Sequence, residues 1–92
     1  MERYLIIFKG QDQGVGFRYT ASVIAKKYNL SGYAQNLYTS GDVRVEVQGE
    51  KENIDSFINE ILKSQNRWLI VEDYSIKKIN IVENEKNFGV RY

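Results

Sequence analysis

The stretch "DVRVEVQGEKENIDSFINEILK", residues 42–63, changes its hydrophobic rhythm midway. Val43, Val45 and Val47 alternate with Arg44, Glu46 and Gln48, the pattern of a strand with one buried and one wet face. Ile54, Phe57, Ile58, Ile61 and Leu62 then recur at i, i+3, i+4, i+7 and i+8, which is one face of an amphipathic helix. Glu50 and Glu52 stand near its start, where the helix dipole favours negative charge. A strand running directly into a helix is half of a repeating plan, and the flanking sequence supplies the other half.

Upstream, "YAQNL" (33–37) reads as a strand joined to the first through "YTSGD", a hairpin in which Gly41 suits a positive φ. Before it, Phe17, Ala21, Ile24 and Tyr28 form a single stripe, predicting a helix over about residues 17–28 that "NLSG" terminates. "RYLIIFK" (3–9) places Tyr4, Ile6 and Phe8 on one face and Leu5 and Ile7 on the other, as in a central strand. Downstream, "RWLIVEDYSIKKINIV" carries a fourth strand. Its alternation at Tyr74 and Ile76 resumes out of phase at Ile79 and Ile81, the mark of a bulge or a strand end. A short "FGVRY" closes the chain. The order β-α-β-β-α-β plus a terminal strand predicts an α+β fold of the ferredoxin-like, split-βαβ type. An antiparallel sheet would be covered on one face by two helices. That architecture hosts many activities, so function has to come from the site.

The 92 residues are expected to form one domain, 1–92, around one modest core. With 42% hydrophobic and 27% charged residues, the composition is that of a globular protein, and no apolar run is long enough to span a membrane. "MERYLIIFKG" has too short an apolar segment for a signal peptide, which makes the cytoplasm the expected location. Thirteen basic and 12 acidic residues leave a net charge of +1, too balanced for a broad polyanion-binding field, so nucleic acid is not an expected partner. Histidine and cysteine are both absent. Ser-His and Cys-His nucleophile pairs and ordinary zinc sites are thereby excluded, and no metal or cofactor is expected.

Between the first strand and the first helix lies "GQDQGVG", followed by Phe17 and Arg18. Glycines at such a junction serve a tight turn, and an arginine in a first helical turn is often solvated. The same pattern also fits an anion site. Gly14 and Gly16 let successive amides turn inward at a helix N-terminus, and Arg18 adds a planar fork matched to phosphate oxygens. The spacing is neither "GxGxxG" nor a P-loop, since no "GK[ST]" follows.

"GQDQGVGFR", "GYAQN", "SGDVRVEVQG" and the final "FGVRY" resemble the acylphosphatase family, whose pattern is roughly G-R-V-Q-G-V-G-F-R, then G-W-V-x-N, D-G-x-V and Q-G. The likeness covers almost the whole chain in the right order. It implies the ferredoxin-like fold and hydrolysis of acyl phosphates to a carboxylate and inorganic phosphate. It implies further that Arg18 binds the phosphoryl group, with backbone amides of Gln13, Gly14, Val15, Gly16, Phe17 and Arg18 around it. Asn36 would orient the attacking water, and the terminal carboxylate of Tyr92 would hold the Arg18 guanidinium. Inorganic phosphate or sulfate is the expected site ligand, and the protein is expected to act as a monomer.

The chain departs from the pattern at Gln11 and Asp12, where a carboxylate pointing inward would oppose an anion, and at Tyr33, which replaces tryptophan. Neither change touches Arg18 or Asn36. A nucleic-acid module on the same fold would need exposed aromatics where "VRVEVQ" offers valines and charges. The alternative reading is a non-catalytic phosphate-binding or regulatory module. Such modules sit inside longer proteins, whereas an end at Tyr92 favours a free-standing enzyme.

Overall fold

The structure, a computed structural model, describes residues 1–12, 16–64 and 69–91. Its elements are β1 (Glu2–Asp12), α1 (Gly16–Lys27), β2 (Ser31–Leu37), β3 (Asp42–Gly49), α2 (Lys51–Lys63), β4 (Leu69–Ile79) and β5 (Phe88–Arg91). The sheet order is β4-β1-β3-β2-β5, with β1 an internal strand between β3 and β4 as its two apolar faces predict. The first four strands pair antiparallel, giving the split-βαβ topology. β5 instead runs parallel to β2, so the complete sheet is mixed rather than wholly antiparallel. A four-residue segment carries no sequence signal for its direction; the long connection from β4 decides it.

Ile6 and Phe8 of β1, Ala34 of β2, Val43, Val45 and Val47 of β3 and Phe88 of β5 face the helices, which contribute Phe17, Ala21, Ile24, Ile54, Phe57 and Ile61 to the same buried cluster. Both predicted helical stripes are therefore core. α1 ends in a Schellman motif: Asn29 takes φ 57°, and the Leu30 N–H donates to the Ala25 carbonyl at 2.9 Å. Gly41 turns the β2–β3 hairpin at φ 79°, as "YTSGD" predicts. Gly32 is fixed for a different reason: at φ 132°, a Cβ there would lie 1.8 Å from the Glu46 carbonyl oxygen.

Two boundaries differ from the sequence reading. β1 continues through Gly10, Gln11 and Asp12, which pair with Val71, Ile70 and Leu69, so these three residues belong to a strand rather than to a loop. The register shifts at Lys9/Gly10, leaving Glu72 as the extra residue of a bulge. β4 then stops at Ile79, which accounts for the change of phase at Ile79 and Ile81. The chain that follows crosses the sheet face opposite the helices. There the Val82 N–H donates to Gln48 Oε1 at 2.7 Å and Glu85 accepts from Arg3 at 2.6 Å. This cover buries Arg3 to 2% exposure, with Glu46 and Gln48 as its other partners. Among the described residues no helix is long and apolar enough to cross a membrane.

Candidate active site

β1 pairs with β3 only as far as Phe8↔Val43, and beyond that point it continues with β4 alone. The two central strands thus part at the end of the sheet where β1 leads towards α1. Helix α1 is anchored at this end by Phe17, 3% exposed, whose ring lies 5.0 Å from that of Phe8. Burying Phe17 fixes the first turn of the helix and carries the next residue inward. Arg18 is only 4% exposed, far from the solvated arginine that a first turn usually presents. Its Nη1 donates to the backbone carbonyl of Arg91 at 3.3 Å.

That contact locates Arg18 against the sheet. Arg91 is the last described residue of β5 and pairs with Gln35 of β2. The next residue of β2 is Asn36, opposite Val43. Side chains alternate along a strand, so Asn36 shares the helix-facing side with Ala34. Arg18 and Asn36, eighteen positions apart in "RYTASVIAKKYNLSGYAQN", are thereby gathered at one end of the sheet. Among the described residues the buried Asn36 Oδ1 has no hydrogen-bond partner. A buried acceptor in that condition costs about 1–3 kcal/mol. Such an atom marks strain, a function that uses its lone pair, or a place for water or an ion.

Gly16, Phe17 and Arg18 open α1, with Gly16 exposed and nothing within 4 Å of where a Cβ would stand. Gln13, Gly14 and Val15 of the expected amide cradle lie outside the described residues, as does Tyr92. Among the described residues no group of three or more His, Cys, Asp or Glu side chains could hold a metal ion.

Behind the site, on the opposite sheet face, Tyr33 Oη donates to Glu46 Oε2 at 2.5 Å, and the Arg91 guanidinium lies 3.7 Å from the Tyr33 ring centroid. Glu46 also accepts from Arg3 at 2.9 Å and from Arg44 at 3.1 Å. Burial alone would push the Glu46 carboxyl up, but the hydrogen bonds from Tyr33, Arg3 and Arg44 outweigh it and hold the group below its usual range. Burial and the bond to Glu46 push the Tyr33 phenol up, so it remains a donor at neutral pH. Sequence reasoning passed over the Arg91 carbonyl and the Tyr33–Arg91 contact. A backbone acceptor has no residue signature, although both residues stand inside the quoted "GYAQN" and "FGVRY".

The acylphosphatase family model matches residues 4–90 of the chain. The curated acylphosphatase of Clostridium acetobutylicum is 47% identical over 92 residues, covering 100% of this chain and 99% of that protein. The crystal structure of acylphosphatase from Bacillus subtilis superposes with a TM-score of 0.88 at 32% identity, covering both chains completely. A full-length HypF crystal structure, in the phosphate- and nucleotide-bound form, matches 99% of this chain with 12% of its own length, at TM-score 0.84 and 31% identity.

Proposed function

The chain belongs to the acylphosphatase family, and from that premise we propose that Arg18 and Asn36 hydrolyse an acyl phosphate by holding its phosphoryl group and steering water to phosphorus. The protein is an enzyme of the acylphosphatase type, a hydrolase acting on a small-molecule acyl phosphate. The observation that carries the assignment of roles is the buried Asn36 Oδ1, unpartnered among the described residues, on the same sheet end as the buried Arg18 guanidinium.

An acyl phosphate is an activated anhydride with a carboxylate leaving group, so positioning and charge stabilisation carry most of the catalysis. Arg18 supplies fixed positive charge and a donor fork to the phosphoryl oxygens, and backbone amides of residues 13–18 complete the cradle. Asn36 Oδ1 accepts a hydrogen bond from water and turns an oxygen lone pair towards phosphorus, in line with the departing carboxylate. The new P–O bond forms from water as the bond to the acyl oxygen breaks, and the carboxylate leaves with that electron pair. The water proton passes to a phosphoryl oxygen of the substrate, which suits a chain without histidine. The chain works as one domain and as a monomer in the cytoplasm, without metal or cofactor, and inorganic phosphate or sulfate occupies the same cradle.

Hydrolysis of benzoyl phosphate, followed by its ultraviolet absorbance, tests this reading. Arg18→Ala is expected to lower kcat/KM by roughly 100- to 1000-fold, on the scale of losing an oxyanion donor. A parent protein that binds phosphate but does not turn over benzoyl phosphate would be the non-catalytic module instead.

A further inference from the structure

Arg18 is tied to a part of the fold with little hold of its own. β5 has four residues, Phe88–Arg91, and pairs along one side only, with β2. Strand ends of this kind fray unless a side chain fixes them. At the first residue the anchor is Phe88, 4% exposed, with its ring 6.4 Å from that of Phe57 in the helix-side core. At the last, the described contact is on the other face, where the Arg91 guanidinium covers the Tyr33 ring at 3.7 Å. Gly89 sits opposite Tyr33 in the register and presents no side chain, which leaves the ring face to Arg91. Tyr33 is 7% exposed, so packing holds its ring in place, and its hydroxyl also donates to Glu46, itself clamped by Arg3 and Arg44.

We infer that Tyr33 and Arg91 form a positioning pair: the ring fixes the end of β5 so that the Arg91 carbonyl holds Arg18 in the orientation that receives a phosphoryl group. The inference rests on the assignment of Arg18 to phosphate binding. The links are the guanidinium on Tyr33, the rigid peptide of Arg91 and the 3.3 Å bond from Arg18 Nη1 to its carbonyl oxygen. Neither Tyr33 nor Arg91 contacts substrate in this scheme. Their loss slackens the hold on Arg18 Nη1 and lets the guanidinium shift from its set orientation, which weakens ground-state and transition-state binding alike and raises KM more than it lowers kcat.

The test compares Tyr33→Leu, Tyr33→Phe, Arg91→Ala and the double variant Tyr33→Leu/Arg91→Ala. KM and kcat are read with benzoyl phosphate, and inorganic phosphate affinity is read both as competitive inhibition and by calorimetry. Tyr33→Leu and Arg91→Ala are each expected to raise KM and the phosphate constant roughly 3- to 10-fold, the scale of one partly exposed cation–π contact. The double variant is expected to be no worse than the weaker-binding single one, because either change breaks the same link. Tyr33→Phe, which keeps the ring, is expected to bind phosphate within about twofold of the parent. A purely structural role would lower the melting temperature and leave phosphate affinity alone, which would overturn the inference. Additive effects in the double variant would also overturn it. So would a loss confined to Arg91→Ala, since that points to charge rather than to stacking. If Tyr33→Leu does not fold, unchanged phosphate affinity in Arg91→Ala refutes the pair by itself. A parent inactive on benzoyl phosphate defeats the catalytic reading, while calorimetry on the same proteins still decides the positioning pair.

Discussion

Replacing Asn36 with alanine should separate stability from activity. Among the described residues nothing donates to the buried Asn36 Oδ1, so deleting it breaks no protein hydrogen bond to that oxygen and relieves at most about 1–3 kcal/mol of desolvation, the less the more fully water satisfies it. Against this stands the packing lost when a half-buried amide is trimmed, about 1 kcal/mol for a few atoms. The net change lies between about 1 kcal/mol against the variant and 2 kcal/mol in its favour. For a domain of this size, the favourable end is a rise in Tm of up to about 10 °C. Most single substitutions destabilise, by about 1 kcal/mol on average, so even an unchanged Tm would be informative. The same change removes the acceptor for water, and kcat should fall roughly 100-fold or more, with a smaller change in KM. Scanning calorimetry alongside benzoyl phosphate kinetics measures both. A Tm lowered by more than about 8 °C would show that the carboxamide is structurally satisfied. An unchanged kcat would remove Asn36 from the chemistry.

Arg3→Met should be costly although no reaction involves it. Arg3 is 2% exposed and donates to Glu46 and Glu85 at 2.9 and 2.6 Å, and removing one member of a buried ion pair costs about 3–5 kcal/mol. Glu46 keeps Tyr33 and Arg44, so the lower figure applies, seen as a denaturation midpoint shifted down at constant m. Acid should act through the same cluster. The folded Glu46 carboxyl titrates below its ordinary value of 4.5, so its stabilisation is complete above that value and is lost as pH falls through the lower, folded one. Glu46→Gln should therefore lower Tm at pH 7 and flatten the acid limb of a Tm–pH curve. The flattening will be partial, because Glu2 and Glu60 are also held low, Glu2 chiefly by Tyr4 and Glu60 chiefly by Lys27.

The local elements were legible because their causes are local. The stripe from Ile54 to Leu62 and the alternation from Val43 to Gln48 record which side of a helix or strand is buried, and each lies within one element. The same holds for Gly41, where the turn itself demands a positive φ. Arg18 and Asn36 were found through motif resemblance, since no periodicity distinguishes a buried arginine from a solvated one.

What the sequence determined by itself is therefore the succession of strands and helices and the residue types available to the site, each set by neighbours a few positions away. The tertiary structure alone decided that β5 joins parallel to β2, that the chain after Ile79 folds over Arg3, and that the Arg91 carbonyl meets Arg18. The last two contacts join residues 82 and 73 positions apart, and the geometry of all three comes into being only once the sheet has closed around its common core.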